Sequence, residues 1–231
     1  MTGSRDVAGA PDEVMVSGEI KGETRWPMAL AVLFGMILTL LMPEEVRYLP
    51  RWVLAAVEGA LLLALVFADP GAISRRARWL RILSIGLVSI LMLSGMWSTA
   101  LLIDQLITGG TITNSAGELL RAGVLVWLTL NVAFSLLYWE LDGGGAAQRA
   151  HELRRYPDLA FPQQMKSELA PPHWRPRYVD YMYLAITNAQ AFSPTDVMPL
   201  ATWAKMTMAV QSLASLAILS LVIARAVNVF T

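Results

Sequence analysis

The sequence predicts an all-α membrane protein with about five transmembrane helices and one re-entrant half-helix before the last of them. Of the 231 residues, 55% are hydrophobic and only 16% are charged, whereas an ordinary soluble domain is about 25% charged. Several apolar segments approach the roughly 20 residues that a helix needs to cross a bilayer. One further apolar segment, close to the C-terminal end, is too short to cross, and it adds the half-helix to the prediction.

The first part of the chain divides into a polar tail and a membrane region. Residues 1–25 carry both signs of charge and lack the basic-then-apolar order of a signal peptide, so we expect a disordered or surface tail. Residues 26–103 hold three apolar segments, at Trp26–Met42, Trp52–Phe67 and Trp79–Ile103. The first two are short and are joined by a Pro-containing turn, which predicts a helical hairpin followed by a third helix.

Residues 119–231 form a second membrane region around a polar linker at residues 143–177. Apolar spans at Leu119–Trp139 and Trp203–Val229 bound this region. Basic residues concentrate in the tail, in the loop before the third span and in the linker, and basic loops stay in the cytoplasm. We therefore expect a multi-pass protein of the cell's inner (plasma) membrane with a cytoplasmic N-terminus. Aromatic residues near the span ends are typical of interfacial anchors: Trp26, Trp52, Trp79, Tyr138, Trp139 and Trp203.

The most informative pattern lies between the linker and the last span. The apolar stretch Val179–Phe192 would reach only about 21 Å as a helix, and a polar turn with a proline ends it. Non-helical backbone at membrane depth is tolerated only where protein buries it or where it lines a water-filled cavity. We expect the following residues to line a pore-like constriction: Thr187, Asn188, Gln190, Ala191, Phe192, Ser193, Pro194, Thr195 and Asp196.

Three polar side chains interrupt the predicted spans. Glu58 lies in the middle of the second segment, where a charge costs up to roughly 3 kcal/mol on insertion scales. It is either a neutral, hydrogen-bonded acid that fixes helix packing or a group on an ion or proton path. Asn131 and Gln211 lie in the fourth and last spans, and such amides commonly hydrogen-bond between helices.

Enzymatic and cofactor-binding sites are not indicated. The chain has no cysteine, which excludes thiolate ligands and cysteine nucleophiles. His151 and His173 stand apart from any metal-ligand motif, and Ser193 lacks the context of a catalytic serine. Gly143 to Gly145 lack the Lys-Ser/Thr of a phosphate loop, and we expect them to be a flexible exit from the fourth helix. We predict no enzyme activity, no cofactor, no bound metal and no nucleic-acid partner.

The C-terminal region resembles the pore-loop superfamily of potassium-channel-like proteins. The order is an apolar span, a linker, a short helix at Asp180–Asn188, an extended stretch and a last span. Residues Ala191 to Asp196 stand where that family has its filter, and Asp196-Val197-Met198-Pro199-Leu200 resembles the segment after it. The resemblance implies a tetramer that conducts monovalent cations. The stretch after Asp180 has no glycine, so the implied filter is degenerate and the resemblance does not extend to potassium selectivity.

A second resemblance is to the DUF1345-like family of uncharacterised bacterial membrane proteins. It is carried by Tyr138 to Asp142, by Asp158 to Pro162 and by Asp180 to Tyr183, and it implies no activity. Together these patterns predict a homo-oligomeric, channel-like protein whose partner is the lipid bilayer. Two alternatives stay open, a non-conducting scaffold that binds a partner and a small-solute transporter that uses Glu58.

Overall fold

The computed structural model describes residues 22–69, 71–73, 77–151, 156–171, 174–191 and 196–230. The described chain is built mainly of α-helices, with two pairs of very short strands. The helices are α1 Trp26–Leu41, α2 Arg51–Ala68, α3 Arg78–Thr108, α4 Ala116–Leu141, α5 Ala146–His151, α6 Pro162–Met165, α7 Tyr178–Ala191 and α8 Thr202–Phe230. The strands are β1 Glu23–Thr24, β2 Ala72–Ile73, β3 Leu159–Ala160 and β4 Met198–Pro199.

Four of the described helices are long and apolar enough to cross a membrane. They are α2, α3, α4 and α8, and their composition agrees with the predicted all-α membrane class. The shorter α1 has 16 residues, which corresponds to about 24 Å at 1.5 Å per residue. A bilayer core is about 30 Å thick, so α1 falls short of the usual spanning length. The described residues thus include four helices of spanning length, where the sequence predicts about five spans.

Helix α4 is the centre of the bundle. In the most apolar 18-residue stretch of α4, 72% of the residues are buried inside the protein. The corresponding share is 28% to 44% in α2, α3 and α8. It packs against α1, α3, α7 and α8. Small side chains let the helices approach closely, as is common in membranes. A Cβ added at Gly95 on α3 would lie 3.6 Å from Thr129, and one added at Gly123 on α4 would lie 3.0 Å from Val222 of α8.

The end of the predicted polar tail is part of the packed structure. Strand β1 pairs antiparallel with β2, the short strand that precedes α3. Arg25 is buried and forms an ion pair of 3.0 Å with Asp69. The sequence predicted a surface tail up to residue 25, but residues 23–25 are held in place because their charged groups find partners on other segments. Residues 1–21 lie outside the described residues.

The short helix α7 begins near one end of α4 and stops near its middle. The Tyr181 hydroxyl, in its first turn, donates a hydrogen bond of 2.5 Å to Asp142 at the C-terminal end of α4. Asn188, two turns later, contacts Gln211 of α8, which in turn contacts Asn131 of α4. Asn131 and Asp142 are eleven residues apart, or about 16 Å along a helix. The inner end of α7 therefore lies about halfway along α4.

By strand β4, the chain has returned to the end of α4 beside which α7 begins. Strand β4 pairs antiparallel with β3, and the backbone N–H of Leu159 in β3 donates to Asp142. The backbone N–H groups of Leu200 and Ala201 both donate to the Asp158 carbonyl. Helix α8 then starts at Thr202 and runs antiparallel to α4. The predicted linker thus contains α5, β3 and α6, and it anchors both sides of the α7 segment.

Candidate functional site

Five polar residues of α4, α7 and α8 form one hydrogen-bonded cluster, which we call the polar core. It consists of Asn131 and Tyr138 on α4, Asn188 on α7, and Gln211 and Ser212 on α8. The Gln211 side-chain oxygen accepts hydrogen bonds from the Tyr138 hydroxyl at 2.8 Å and from the Asn188 amide at 2.9 Å. The Gln211 amide nitrogen donates to Asn131 at 3.3 Å and to the Ala185 carbonyl at 2.8 Å.

Asn188 completes the polar core from the α7 side. Its amide nitrogen also donates to the Met208 carbonyl at 3.0 Å, and its side-chain oxygen accepts from Ser212 at 3.1 Å. Asn188 is 1% exposed and Gln211 is fully buried. Hydrogen bonds between membrane helices contribute about 0.6 kcal/mol each on average. The polar core therefore fixes the depth and rotation of α7 between its two neighbours.

The remaining residues of the predicted constriction are spread over different environments. Thr187 is half-buried and donates to backbone carbonyls of its own helix, at Tyr183 and Leu184. Gln190 and Ala191 are exposed at the inner end of α7, and Asp196 is exposed just before β4. Residues 192–195, which hold the predicted filter-like turn, lie outside the described residues. Among the described members of the predicted constriction, only Asn188 joins the polar core, beside the predicted Asn131 and Gln211.

A second polar group, the anchor cluster, holds the outer end of α7. It consists of Glu23, Ser135, Asp142, Arg149, Tyr178 and Tyr181. The Tyr178 hydroxyl and Ser135 of α4 are 2.7 Å apart, and the Tyr178 backbone N–H donates to Glu23 at 2.5 Å. The second Glu23 oxygen accepts from the Trp139 indole at 2.9 Å. A carboxylate at the first turn of α7 is also favoured by the helix dipole.

Arg149 of α5 closes the C-terminal end of α4. Its guanidinium donates to the Trp139 carbonyl at 2.7 Å and to the Asp142 carbonyl at 2.6 Å, and carbonyls at a helix end need such partners from outside the helix. It also lies 5.0 Å from the centre of the Tyr181 ring and 6.0 Å from that of Trp139. Charge-assisted hydrogen bonds and ring contacts of this kind allow a charged side chain to be buried.

The three glycines after α4 form a fixed turn and not the predicted flexible exit. Gly143 to Gly145 are buried, and each has a positive φ. At Gly143 φ is +58°, and an added Cβ would lie 3.0 Å from Cγ of Arg149. A larger residue would therefore face both left-handed backbone strain and a clash with the arginine that caps the helix.

Two of the predicted interfacial aromatics belong to this interior. Tyr138 is fully buried and Trp139 is 2% exposed, whereas Trp26, Trp52 and Trp79 are more than half exposed. Tyr138 and Trp139 each use their polar atom inside the protein, on Gln211 and on Glu23. Their position at the end of an apolar run looked like that of a membrane anchor. The partners that bury them lie far away in the sequence, and no local pattern points to them.

Burial shifts the ionisation of the charged groups just before α1. Burial raises the pKa of Glu23 above its ordinary value, while the hydrogen bonds from Trp139 and Tyr178 and the charge of Arg149 act in the opposite direction. Burial lowers the pKa of Arg25, and the neighbouring Asp69 counteracts this. Both groups therefore depend on their partners to carry a charge in this environment.

A cavity of about 340 Å³ opens beside the anchor cluster, between α2, α3 and the turn after α4. Both of its carboxylates are engaged, since Asp69 pairs with Arg25 and Glu140 accepts from Ser84 at 2.6 Å. Arg81 donates to the Gly144 carbonyl at the same rim. Four charged residues of this cavity thus connect neighbouring segments: Arg25, Asp69, Arg81 and Glu140. In the part of the chain that the structure describes, no cluster of three or more His, Asp or Glu side chains could hold a metal ion.

Glu58 lies apart from both polar groups, in α2. It is fully buried, and neither of its carboxyl oxygens has a hydrogen-bond partner among the described residues.

No family model, no curated protein and no solved structure matches this chain.

Proposed function

We propose that this protein is an oligomeric, channel-like membrane protein in which α7 is a re-entrant half-helix. Residues Thr187 to Asp196, at and after the inner end of α7, would border its constriction. The observation that carries the proposal is the path of the chain around α7. It enters beside Asp142, reaches the level of Asn131, and is back beside β3 at residue 198. Irregular backbone at membrane depth is tolerated where protein buries it or where it lines a water-filled cavity, and we propose the second for this segment that goes halfway and returns.

The polar core supplies the rigidity that such a segment needs. A half-helix at membrane depth has to keep its polar side chains and its depth fixed, because hydrocarbon offers no partners. Asn188 meets this requirement through Gln211, Ser212 and the Met208 carbonyl. The opposite face of α7 is left exposed in the single chain, at Val179, Tyr183 and Gln190. We propose that this face borders the central path or a neighbouring subunit.

Ion flux is the direct test of the proposal. The purified protein, reconstituted in liposomes, is expected to pass monovalent cations above the rate of empty vesicles, and its particles are expected to be oligomeric. Because the chain has no cysteine, Gln190→Cys and Ala189→Cys make a matched pair on α7. A charged thiol reagent should block flux through Gln190→Cys, which is exposed, and leave Ala189→Cys, which is fully buried, unaffected.

Two results would contradict the proposal. A monomeric particle with no flux at any voltage or pH would leave the non-conducting scaffold, in which α7 is packed for stability alone. Equal block of both cysteine variants would mean that the exposed face of α7 does not border the path.

The side of the membrane that α7 enters from is a separate question. Ser167→Cys in the linker and Ser115→Cys before α4 report the two sides. If the linker is cytoplasmic, an impermeant thiol reagent labels Ser167→Cys in intact cells only after permeabilisation, whereas Ser115→Cys is labelled at once. The reverse result would place the linker outside, as in the ordinary orientation of the pore-loop superfamily.

A further inference from the structure

The acid in the middle of α2 has no partner that explains its burial. Glu58 belongs to the buried face of α2, where its neighbours are apolar: Leu54, Ala55, Leu62 and Leu65. It is fully buried, and both of its carboxyl oxygens lack a hydrogen-bond partner among the described residues. An unpartnered buried polar group is costly. A leucine would fill the same face without that cost, so packing does not account for the residue.

The contacts of two glycines place Glu58 in an apolar layer of the bundle. A Cβ at Gly59 would lie 3.1 Å from the terminal methyl of Met36 on α1. A Cβ at the adjacent Gly35 would lie 3.4 Å from Leu91 of α3 and 3.5 Å from Val132 of α4. The layer at the height of Glu58 is therefore formed by methionine, leucine, valine and glycine.

The charged and titratable groups of the surrounding helices lie toward the helix ends. Helix α1 contains none. Those of α2 and α3 are Arg51, Arg78, Arg81 and Asp104. Those of α4 are Glu118, Arg121, Tyr138 and Glu140. Each is at least six residues from Glu58, Leu91 or Val132 on its own helix, which is about 9 Å or more along the axis. No group in this set is close enough to neutralise a carboxylate in the layer.

We infer that Glu58 is a proton-binding site, an acid that stays neutral in the apolar layer between α1, α2 and α3. An ionised carboxylate without a partner is strongly disfavoured in such surroundings, and it takes up a proton instead. Gly59, next to it in sequence, is only half-buried. The flexible end of Met36 lies over Gly59, and we expect a small apolar molecule to reach the carboxyl group from the lipid side when this end moves. This site does not depend on the proposed path beside α7.

An apolar carbodiimide tests the protonation state and the access together. The carboxyl proton moves to one carbodiimide nitrogen while the carboxyl oxygen adds to the central carbon. An acyl shift from oxygen to nitrogen then gives a stable N-acylurea, without a leaving group. The full-length protein in lipid vesicles is treated with dicyclohexylcarbodiimide at pH 5 and at pH 7, and the adducts are located by peptide mass spectrometry.

Glu58 is expected to carry the adduct with a yield that changes by no more than about threefold between the two pH values. The protonated fraction of an ordinary glutamate falls roughly 80-fold between pH 5 and pH 7. Glu45, which is exposed in the turn between α1 and α2, is the internal control. It should show the steep loss and should react with a water-soluble carbodiimide that leaves Glu58 untouched.

The controls separate this site from a simple structural role. Glu58→Gln removes the adduct and keeps a neutral group of the same shape, so it should unfold at the same temperature as the wild type. Absence of an adduct on Glu58 at both pH values would overturn the inference, as would a loss as steep as that of Glu45. If Glu58→Gln fails to fold, the pH profile of the wild-type adduct decides the question by itself.

Discussion

Replacing Gln211 by leucine should release α7 from its two neighbours. Gln211 makes four hydrogen bonds, two to side chains of α4 and two to α7. At about 0.6 kcal/mol for each interhelical bond, their loss amounts to about 2 to 3 kcal/mol. Leucine has a volume close to that of glutamine, so little of the effect comes from a cavity. The folding equilibrium should shift by roughly 30- to 150-fold.

Reversible unfolding in mixed detergent micelles measures this change. Gln190→Leu is the matched control, because Gln190 is on the exposed side of α7. A surface substitution of this kind is expected to change the free energy of unfolding by no more than about 0.5 kcal/mol. The difference between the two variants then reports the polar core and not the general effect of exchanging an amide for a leucine.

A cysteine at position 189 reports whether the destabilisation is local to α7. Ala189 is fully buried in the wild type, so Ala189→Cys should react slowly with a thiol reagent. In the Gln211→Leu background the same cysteine should react faster, since Asn188 and the Ala185 carbonyl of α7 have both lost the Gln211 side chain. If Gln211→Leu and Gln190→Leu have the same free energy of unfolding, and the cysteine at position 189 still reacts slowly, the polar core does not hold α7.

Three further predictions concern the anchor cluster and the glycine turn beside it. Arg149→Ala should lower the free energy of unfolding by about 3 kcal/mol, because two charge-assisted hydrogen bonds to the end of α4 are lost; Arg149→Lys should fall between it and the wild type in chemical unfolding. Gly143→Ala should cost about 1 to 2 kcal/mol for the left-handed φ of +58°, measured by thermal unfolding. The raised pKa of Glu23 means that its contribution is most favourable below about pH 4.5 and is lost as pH rises through the folded-state pKa. Glu23→Gln should therefore flatten the decline in stability above pH 4.5, and an unchanged pH profile would refute that account.

The sequence was most informative where apolarity alone decides the structure. The predicted segment Trp26–Met42 corresponds to α1, at Trp26–Leu41, because a helix in this setting ends where the apolar run meets proline. The third segment was predicted to end at Ile103, but α3 continues to Thr108. A search for apolar residues stops at Asp104, whereas the helix itself stops at Gly109, whose left-handed backbone terminates it.

The polar contacts could be predicted only in part. Asn131 and Gln211 were expected to hydrogen-bond between helices, since an amide in an apolar span has few other choices. The hydrogen bond from Asn188 to Gln211 does not follow from the sequence, which places Asn188 in the predicted constriction. Glu23 and Tyr178 are 155 residues apart, and no local pattern connects them. Arg149 looked like one more charge in a polar linker, and only the folded turn after α4 shows it to be a helix cap.

The direction in which α7 finds its partners sets an order for assembly during synthesis. Its inner-end contacts are to Met208, Gln211 and Ser212, and β4 also follows it in the chain. When α7 leaves the ribosome, the groups that will satisfy Asn188 have not yet been made. Hydrocarbon offers no substitute for them, so, if α7 is re-entrant as proposed, we expect it to stay at the membrane surface until α8 is inserted. On that proposal, α7 docks only after α8, because α8 provides the groups that Asn188 needs.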